Sequence, residues 1–280
     1  MPGLRHSGYL QHFGLDTLPF ATAPDPRFAF ATRAHEIELL RMQDSVEQRL
    51  GLCLLRGEIG TGKSTIAHML MKAWGDDDRF VAAYISDPSA PSQPQFLRVL
   101  VSAFGLDASR YAEQNKSNLR GFLLDNYEAG KTVIVLLDEA QSLSAANMAT
   151  IQQLSNEQTS DTKLIQIALL AQPNFDRKLS YQPALRSRIA RRGTLDPLIF
   201  EDTVDMMRYR VSVAGADFDT LFPVPLHRPI YNATQGIPRQ ICVLCDNILF
   251  NTYTRGLDSA DMAATEEAIR KCDFPTRKDK

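Results

Sequence analysis

The chain has 280 residues, enough for one large domain and a smaller one. Its 44% hydrophobic and 23% charged content is that of an ordinary globular protein, with no internal repeat or low-complexity tract. With 31 basic and 33 acidic residues the formal net charge is −2, which predicts no global attraction to nucleic acid or to anionic membranes and leaves only a local basic patch for such contacts.

The four cysteines, Cys53, Cys242, Cys245 and Cys272, suggest no disulfide framework. Cys242-x-x-Cys245 lacks the second half of a metal site and reads as small buried residues on an apolar helix. The first fifteen residues lack the apolar segment of a signal peptide. The longest apolar runs, 133–137 and 167–171, are far short of the ~20 residues a membrane helix needs. The expected location is the cytoplasm, with no membrane partner.

Residues 1–32 carry Pro2, Pro19, Pro24 and Pro26 among scattered aromatics and read as an irregular leader packed on a domain. Residues 33–50 put Ile37, Leu40, Met42 and Val46 on roughly one helical face. Apolar strand-like runs follow at 52–56, 80–85, 133–137 and 164–171, with helical patterns at 64–74, 94–104, 117–128 and 146–157. Apolar strands alternating with amphipathic helices predict an α/β fold with a parallel sheet covered on both faces. A further strand is expected at 189–195. After residue 198 only helical patterns remain, at 200–214, 226–234, 238–253 and 259–272, before a polar tail from Phe274 that is expected to fray. The expected divisions are 1–45, 46–198 and 199–280.

The run 52–56 leads into Gly57-Glu58-Ile59-Gly60-Thr61-Gly62-Lys63-Ser64, a complete G-x-x-x-x-G-K-[ST] loop with a helix after it. Its glycines let backbone N–H groups close around phosphate oxygens, and the helix adds its positive end. Lys63 is expected to reach the β- and γ-phosphates and Ser64 to bind Mg²⁺, with Thr65 next in the nucleotide contact. The strand 133–137 ends in Asp138-Glu139, at the strand end where parallel sheets bind ligands. Asp138 is the expected Mg²⁺ carboxylate and Glu139 the base that activates water. Gln172, after the strand 164–171, is expected to sense the γ-phosphate or the attacking water. Among the basic cluster of Arg177, Lys178, Arg186, Arg188, Arg191 and Arg192, either Arg186 or Arg188 is expected to act as an arginine finger, with Arg188 slightly ahead. Gly236-Ile237-Pro238-Arg239 reads as a helix start, where a cation opposes the dipole and so points to another partner for Arg239, such as a phosphate.

Taken together, the chain resembles an AAA+ ATPase of the ExeA (GspA) type, a group with close relatives among TnsC/TniB transposition regulators. The likeness spans residues 9–260. It rests on Phe13-Gly14-Leu15, Pro24-Asp25-Pro26, the phosphate loop, Asp138-Glu139-Ala140-Gln141-Ser142-Leu143, Leu154-Ser155-Asn156, Gln172-Pro173, Leu185-Arg186-Ser187-Arg188-Ile189 and Gly236-Ile237-Pro238-Arg239. The resemblance implies an AAA+ P-loop fold with a small all-helical lid domain and a leader and helix (1–45) packing near the adenine. It makes Lys63 and Ser64 Walker A, Asp138 and Glu139 Walker B, Gln172 sensor 1, Arg188 or Arg186 the trans finger and Arg239 sensor 2. It implies ATP and Mg²⁺ as ligands and a ring or helical homo-oligomer with nucleotide at subunit interfaces. Two jobs fit such a chain. One is a transposition regulator that assembles with ATP on duplex DNA, recruits a transposase with target-selection proteins, and disassembles on hydrolysis. The other is an ExeA/GspA-type ATPase assisting secretin assembly. The ending at Lys280, with neither membrane helix nor peptidoglycan-binding part, favours the first. Lys116 and Arg120 are the expected DNA contacts, lining a pore.

Overall fold

The computed structural model describes residues 6–23 and 25–274. The expectations that fall on residues 1–5, on Pro24 and on the tail after Phe274 lie outside the described residues. In chain order the first elements are α1 (His6–His12), α2 (Arg33–Glu47), β1 (Leu52–Gly57), α3 (Lys63–Gly75) and β2 (Phe80–Ile85). Then come α4 (Gln93–Ala103), α5 (Ala112–Glu128), β3 (Thr132–Leu137), α6 (Ala145–Leu154) and β4 (Ile165–Ala171). After these stand α7 (Phe175–Ser180), α8 (Pro183–Arg186), β5 (Ile189–Leu195), α9 (Phe200–Val213) and α10 (Phe218–Leu221). The last are α11 (His227–Thr234), α12 (Pro238–Thr254) and α13 (Met262–Cys272). Two compact units result. A sheet unit holds residues 33–59 and 63–195; a helical unit holds those before 33, residues 60–62 and those after 195.

In the sheet unit the strand order is β2-β3-β4-β1-β5, and every pairing is parallel. Parallel neighbours need crossovers, which explains why helical patterns separate the strands in sequence. The two-residue alternation of a strand sends side chains to opposite faces. Leu52, Leu54, Val133, Val135, Ile165 and Ile167 meet Phe96, Leu100, Leu119 and Ile151 of α4, α5 and α6. Cys53, Leu55, Ile134, Leu136 and Leu170 meet Met42 of α2 and Ile66, Leu70 and Trp74 of α3. The buried side of α2 keeps Met42 and Val46 of the expected face and drops Ile37 and Leu40. Ile37 and Leu40 are exposed, and Glu38, Met42, Ser45 and Val46 are buried. Spacings of four, seven and eight from Glu38 form one stripe at 3.6 residues per turn, whereas Ile37 lies one residue off it.

The helical unit buries one cluster that joins Met207 and Val211 of α9, Ile230 of α11 and Ile241, Leu244, Ile248 and Leu249 of α12. The described part of the leader packs there too: Phe13, Leu15, Phe20 and Phe28 belong to the same cluster. It contains α1 and a 3₁₀ turn at Pro26–Phe28, whose start is capped by Asp25 accepting from the Arg27 N–H. These aromatics are buried singly at irregular spacings, so no periodicity advertised them. The buried Arg210 guanidinium fixes this segment by donating to the carbonyls of Pro19 (2.7 Å), Ala21 (2.9 Å) and Phe28 (3.1 Å). Cys242 and Cys245 are buried on α12. No described helix is long and apolar enough to cross a membrane.

Candidate active site

Because β1, β3 and β4 are adjacent and parallel, the residues at their carboxyl ends leave the sheet on the same side. This brings together Gly57, Asp138-Glu139 and Gln172, which are far apart in sequence. Asp138 is only 3% exposed. A buried carboxylate is costly unless hydrogen-bonded, and Asp138 has three donors. Oδ2 accepts from Ser64 Oγ at 2.7 Å and from Tyr84 OH at 3.1 Å, and Oδ1 accepts from the Glu139 N–H at 2.8 Å. Burial and the Asp138 carboxylate push the Tyr84 phenol far above its ordinary range, so it stays a donor.

Glu139 has φ 49° and ψ 37°, the left-handed region that non-glycine residues rarely occupy. Its Oε2 accepts from the side-chain amides of Gln141 and, at 3.1 Å, Gln172. The Gln141 Oε1 accepts from the Gln172 backbone N–H at 3.0 Å. Lys178 donates to the Gln141 and Leu143 carbonyls and so fastens the turn after β3. Glu139 is thus aimed by the side-chain amides of Gln141 and Gln172.

Lys63 opens α3 and its Nζ donates to the carbonyls of Gly57 and Glu58, both at 2.8 Å. Burial lowers the pKa of its ammonium, and Glu139, Asp138 and Glu58 partly offset this. A bound polyphosphate would supply the negative charge that two carbonyls only approximate. The oxygens of Ser64 and Asp138 suit a hard cation such as Mg²⁺, which takes few protein ligands and retains water. Among the described residues no cluster of three or more His, Cys, Asp or Glu competes as a metal site.

Gly60–Gly62, the tip of the loop, groups with the helical unit. There the Arg239 N–H, in the first turn of α12, donates to the Gly60 carbonyl at 3.2 Å. Gly60 has φ +84°, and a Cβ on it would lie 2.7 Å from the Arg239 Cβ. Only glycine permits both the turn and the approach. Gly236 bends the chain before α12 at φ +73°, where a Cβ would meet the Leu198 carbonyl oxygen at 2.0 Å.

The two finger candidates differ in their surroundings. Arg188 is held within its own chain, donating from Nε to Asn156 Oδ1 at 2.8 Å and from Nη1 to the Ala184 carbonyl at 2.7 Å. The exposed Arg186 guanidinium makes no hydrogen bond or ion pair among the described residues. Lys116 and Arg120 do not join the network at Asp138 and Glu139. Each is ion-paired locally, Lys116 to Glu113 at 2.8 Å and Arg120 to Glu157 at 3.3 Å. Tyr84 and Gln141 carry no assigned role in the sequence reading. Tyr84 sits in the apolar run FVAAYI, where nothing signals that its hydroxyl meets a carboxylate on the neighbouring strand.

The AAA domain family matches residues 46–179. The General secretion pathway protein A of Aeromonas hydrophila is 33% identical over 253 residues, which is 89% of this chain and 45% of that protein. The chain therefore spans less than half the length of this curated relative. Among solved structures, the Aeropyrum pernix ORC2 protein in its ADPNP–ADP complexes is similar with a TM-score of 0.68 at 18% identity, covering 93% of this chain and 72% of that one. A Drosophila ORC bound to DNA gives 0.71 at 15% identity, covering 98% and 69%. The all-parallel sheet and the loop between β1 and α3 thus give the chain the fold of these solved structures, and residues 46–179 within it match the AAA domain family.

Proposed function

We propose that this ATPase couples ATP hydrolysis to the association of its own copies and serves the assembly of secretion machinery. The observation that carries the secretion reading is the 33% identity, over 253 residues, to a general secretion pathway protein. In the proposed site Lys63 and the loop N–H groups hold the phosphates, while Ser64 and Asp138 hold Mg²⁺. Bound there, Mg²⁺ would neutralise charge developing on the phosphoryl oxygens. Glu139 accepts a proton from the attacking water, and Gln172 exchanges Glu139 for the γ-phosphate. Arg186, whose guanidinium is uncommitted within its own chain, is the better placed trans finger; Arg188 would first have to leave Asn156 and Ala184. Arg239 contributes through Gly60 of the loop tip.

The transposition reading, with duplex DNA, a transposase and target selectors as partners, has less support. Its proposed DNA contacts, Lys116 and Arg120, are already paired with acidic neighbours. Size-exclusion chromatography with light scattering, using a slowly hydrolysed ATP analogue, separates the two. Association with nucleotide alone supports the secretion reading. Association that requires duplex DNA overturns it in favour of the DNA-templated one.

A further inference from the structure

Within the sheet unit an open cavity of about 630 Å³ is lined by Arg56, Asp176, Arg186 and Arg192, with Leu179 and Pro183. Arg56 stands near the end of β1, Arg192 on the adjacent β5, Asp176 on α7 and Arg186 at the end of α8. The Arg56 guanidinium pairs with the Asp176 carboxylate and donates to Thr194 Oγ1 at 3.1 Å. Its Nε is buried without a hydrogen-bond partner. Arg192 donates from Nη2 to the Arg186 carbonyl at 2.7 Å. Among the described residues Asp176 is the only carboxylate lining the cavity, and Arg56 already engages it. Three guanidiniums against one carboxylate leave two positive charges unbalanced. Burial and the neighbouring Arg186 and Arg56 charges lower the Arg192 pKa, which is the expected effect of crowding like charges. A guanidinium presents a planar fork of donors that matches tetrahedral oxyanions. A phosphoryl group carries about two negative charges near neutral pH and would balance the cavity, where one carboxylate would balance half of it.

We propose that this cavity is a second anion site, separate from the phosphate loop, that takes the phosphoryl or diphosphoryl group of a small molecule. Leu179 and Pro183 supply an apolar wall for the rest of that ligand. The inference does not depend on association of copies, because every lining residue comes from one sheet unit.

The test titrates inorganic pyrophosphate by calorimetry into the Lys63→Ala chain, at a concentration where light scattering gives a monomer. One site should remain. Arg192→Ala and Arg56→Ala should each weaken it by about tenfold or more, the loss expected for a charge-assisted hydrogen bond. ADP titrated in parallel separates two sources of the group: tighter binding than pyrophosphate assigns the site to a nucleotide, equal binding to a bare phosphoryl. If Lys63→Ala loses its native circular dichroism, the native chain should bind two pyrophosphates and its Arg192→Ala variant one. Absence of a site in a folded Lys63→Ala monomer, or a site indifferent to both arginine variants, overturns the proposal. Binding that appears only when copies associate also overturns it, because the arginines would then serve a neighbouring copy's nucleotide.

Discussion

The polar groups of the helical unit and those of the sheet unit are spent differently. In the helical unit Arg210 is buried and gives its donors to three backbone carbonyls of one leader segment. Thr234 and Thr252 likewise bond back to carbonyls of their own helices. In the sheet unit the two carboxylates at the strand ends are held by other side chains as well as by backbone: Ser64 and Tyr84 bond to Asp138, Gln141 and Gln172 to Glu139. A bond from side chain to backbone fixes a shape. A bond between two side chains can be exchanged for a ligand without unfolding anything. The comparison therefore predicts that substitutions in the first set change stability and substitutions in the second set change chemistry.

The largest expected effect is on chemistry. Glu139→Gln should lower the hydrolysis rate about 10²–10⁴-fold while nucleotide binding and the urea midpoint stay close to those of the parent. A large fall in the midpoint instead would make the strand-end network structural and break the contrast. Next is Arg210→Ala, which strands three carbonyls. It should cost about 3 kcal/mol or more in urea unfolding, with the hydrolysis rate per folded chain unchanged. Arg186→Ala, removing the same residue type from the surface, should change stability by no more than about 0.5 kcal/mol. Tyr84→Phe removes one of three donors to Asp138 and should lower kcat about tenfold, measured at saturating Mg²⁺. An unaltered kcat would limit Tyr84 to filling space. The smallest effect is on pH dependence. The lowered Lys63 pKa means that its ammonium loses its proton below the usual lysine range as pH rises. Phosphate favours the charged form, so ATP binding on the alkaline side should take up a proton and weaken with rising pH. Calorimetry in buffers of different ionisation enthalpy measures that uptake.

The sheet unit was the more legible part. The central strands β1, β3 and β4 are largely apolar runs because both their faces are covered, and Gly57–Ser64 and Asp138-Glu139 sit where such a strand must stop. What the sequence hid depends on pairing between distant segments. Tyr84 reaches Asp138 only because β2 lies beside β3, and Arg188 is engaged only because Asn156 comes near it. Arginine illustrates the limit. Arg186, Arg188 and Arg210 look alike in sequence, yet one is uncommitted, one is tied to its own chain and one is a buried staple. In α2 the apolar pattern finds Met42 and Val46 but also picks the exposed Ile37 and Leu40. The buried stripe of this helix includes Glu38, which accepts from Arg41 at 2.6 Å, and a periodicity reading based on apolar residues cannot select a carboxylate.

The central claim is that one copy completes the catalytic site of the next. Mixing two chains that are each inactive tests it most directly. One carries Lys63→Ala and cannot hold nucleotide; the other carries Arg186→Ala with Arg188→Ala and cannot supply a finger. The account predicts that ATP hydrolysis, absent from either chain alone, returns when they are mixed and rises with total protein concentration. Full activity of the double arginine variant alone, or a mixture as inactive as its parts, would contradict it.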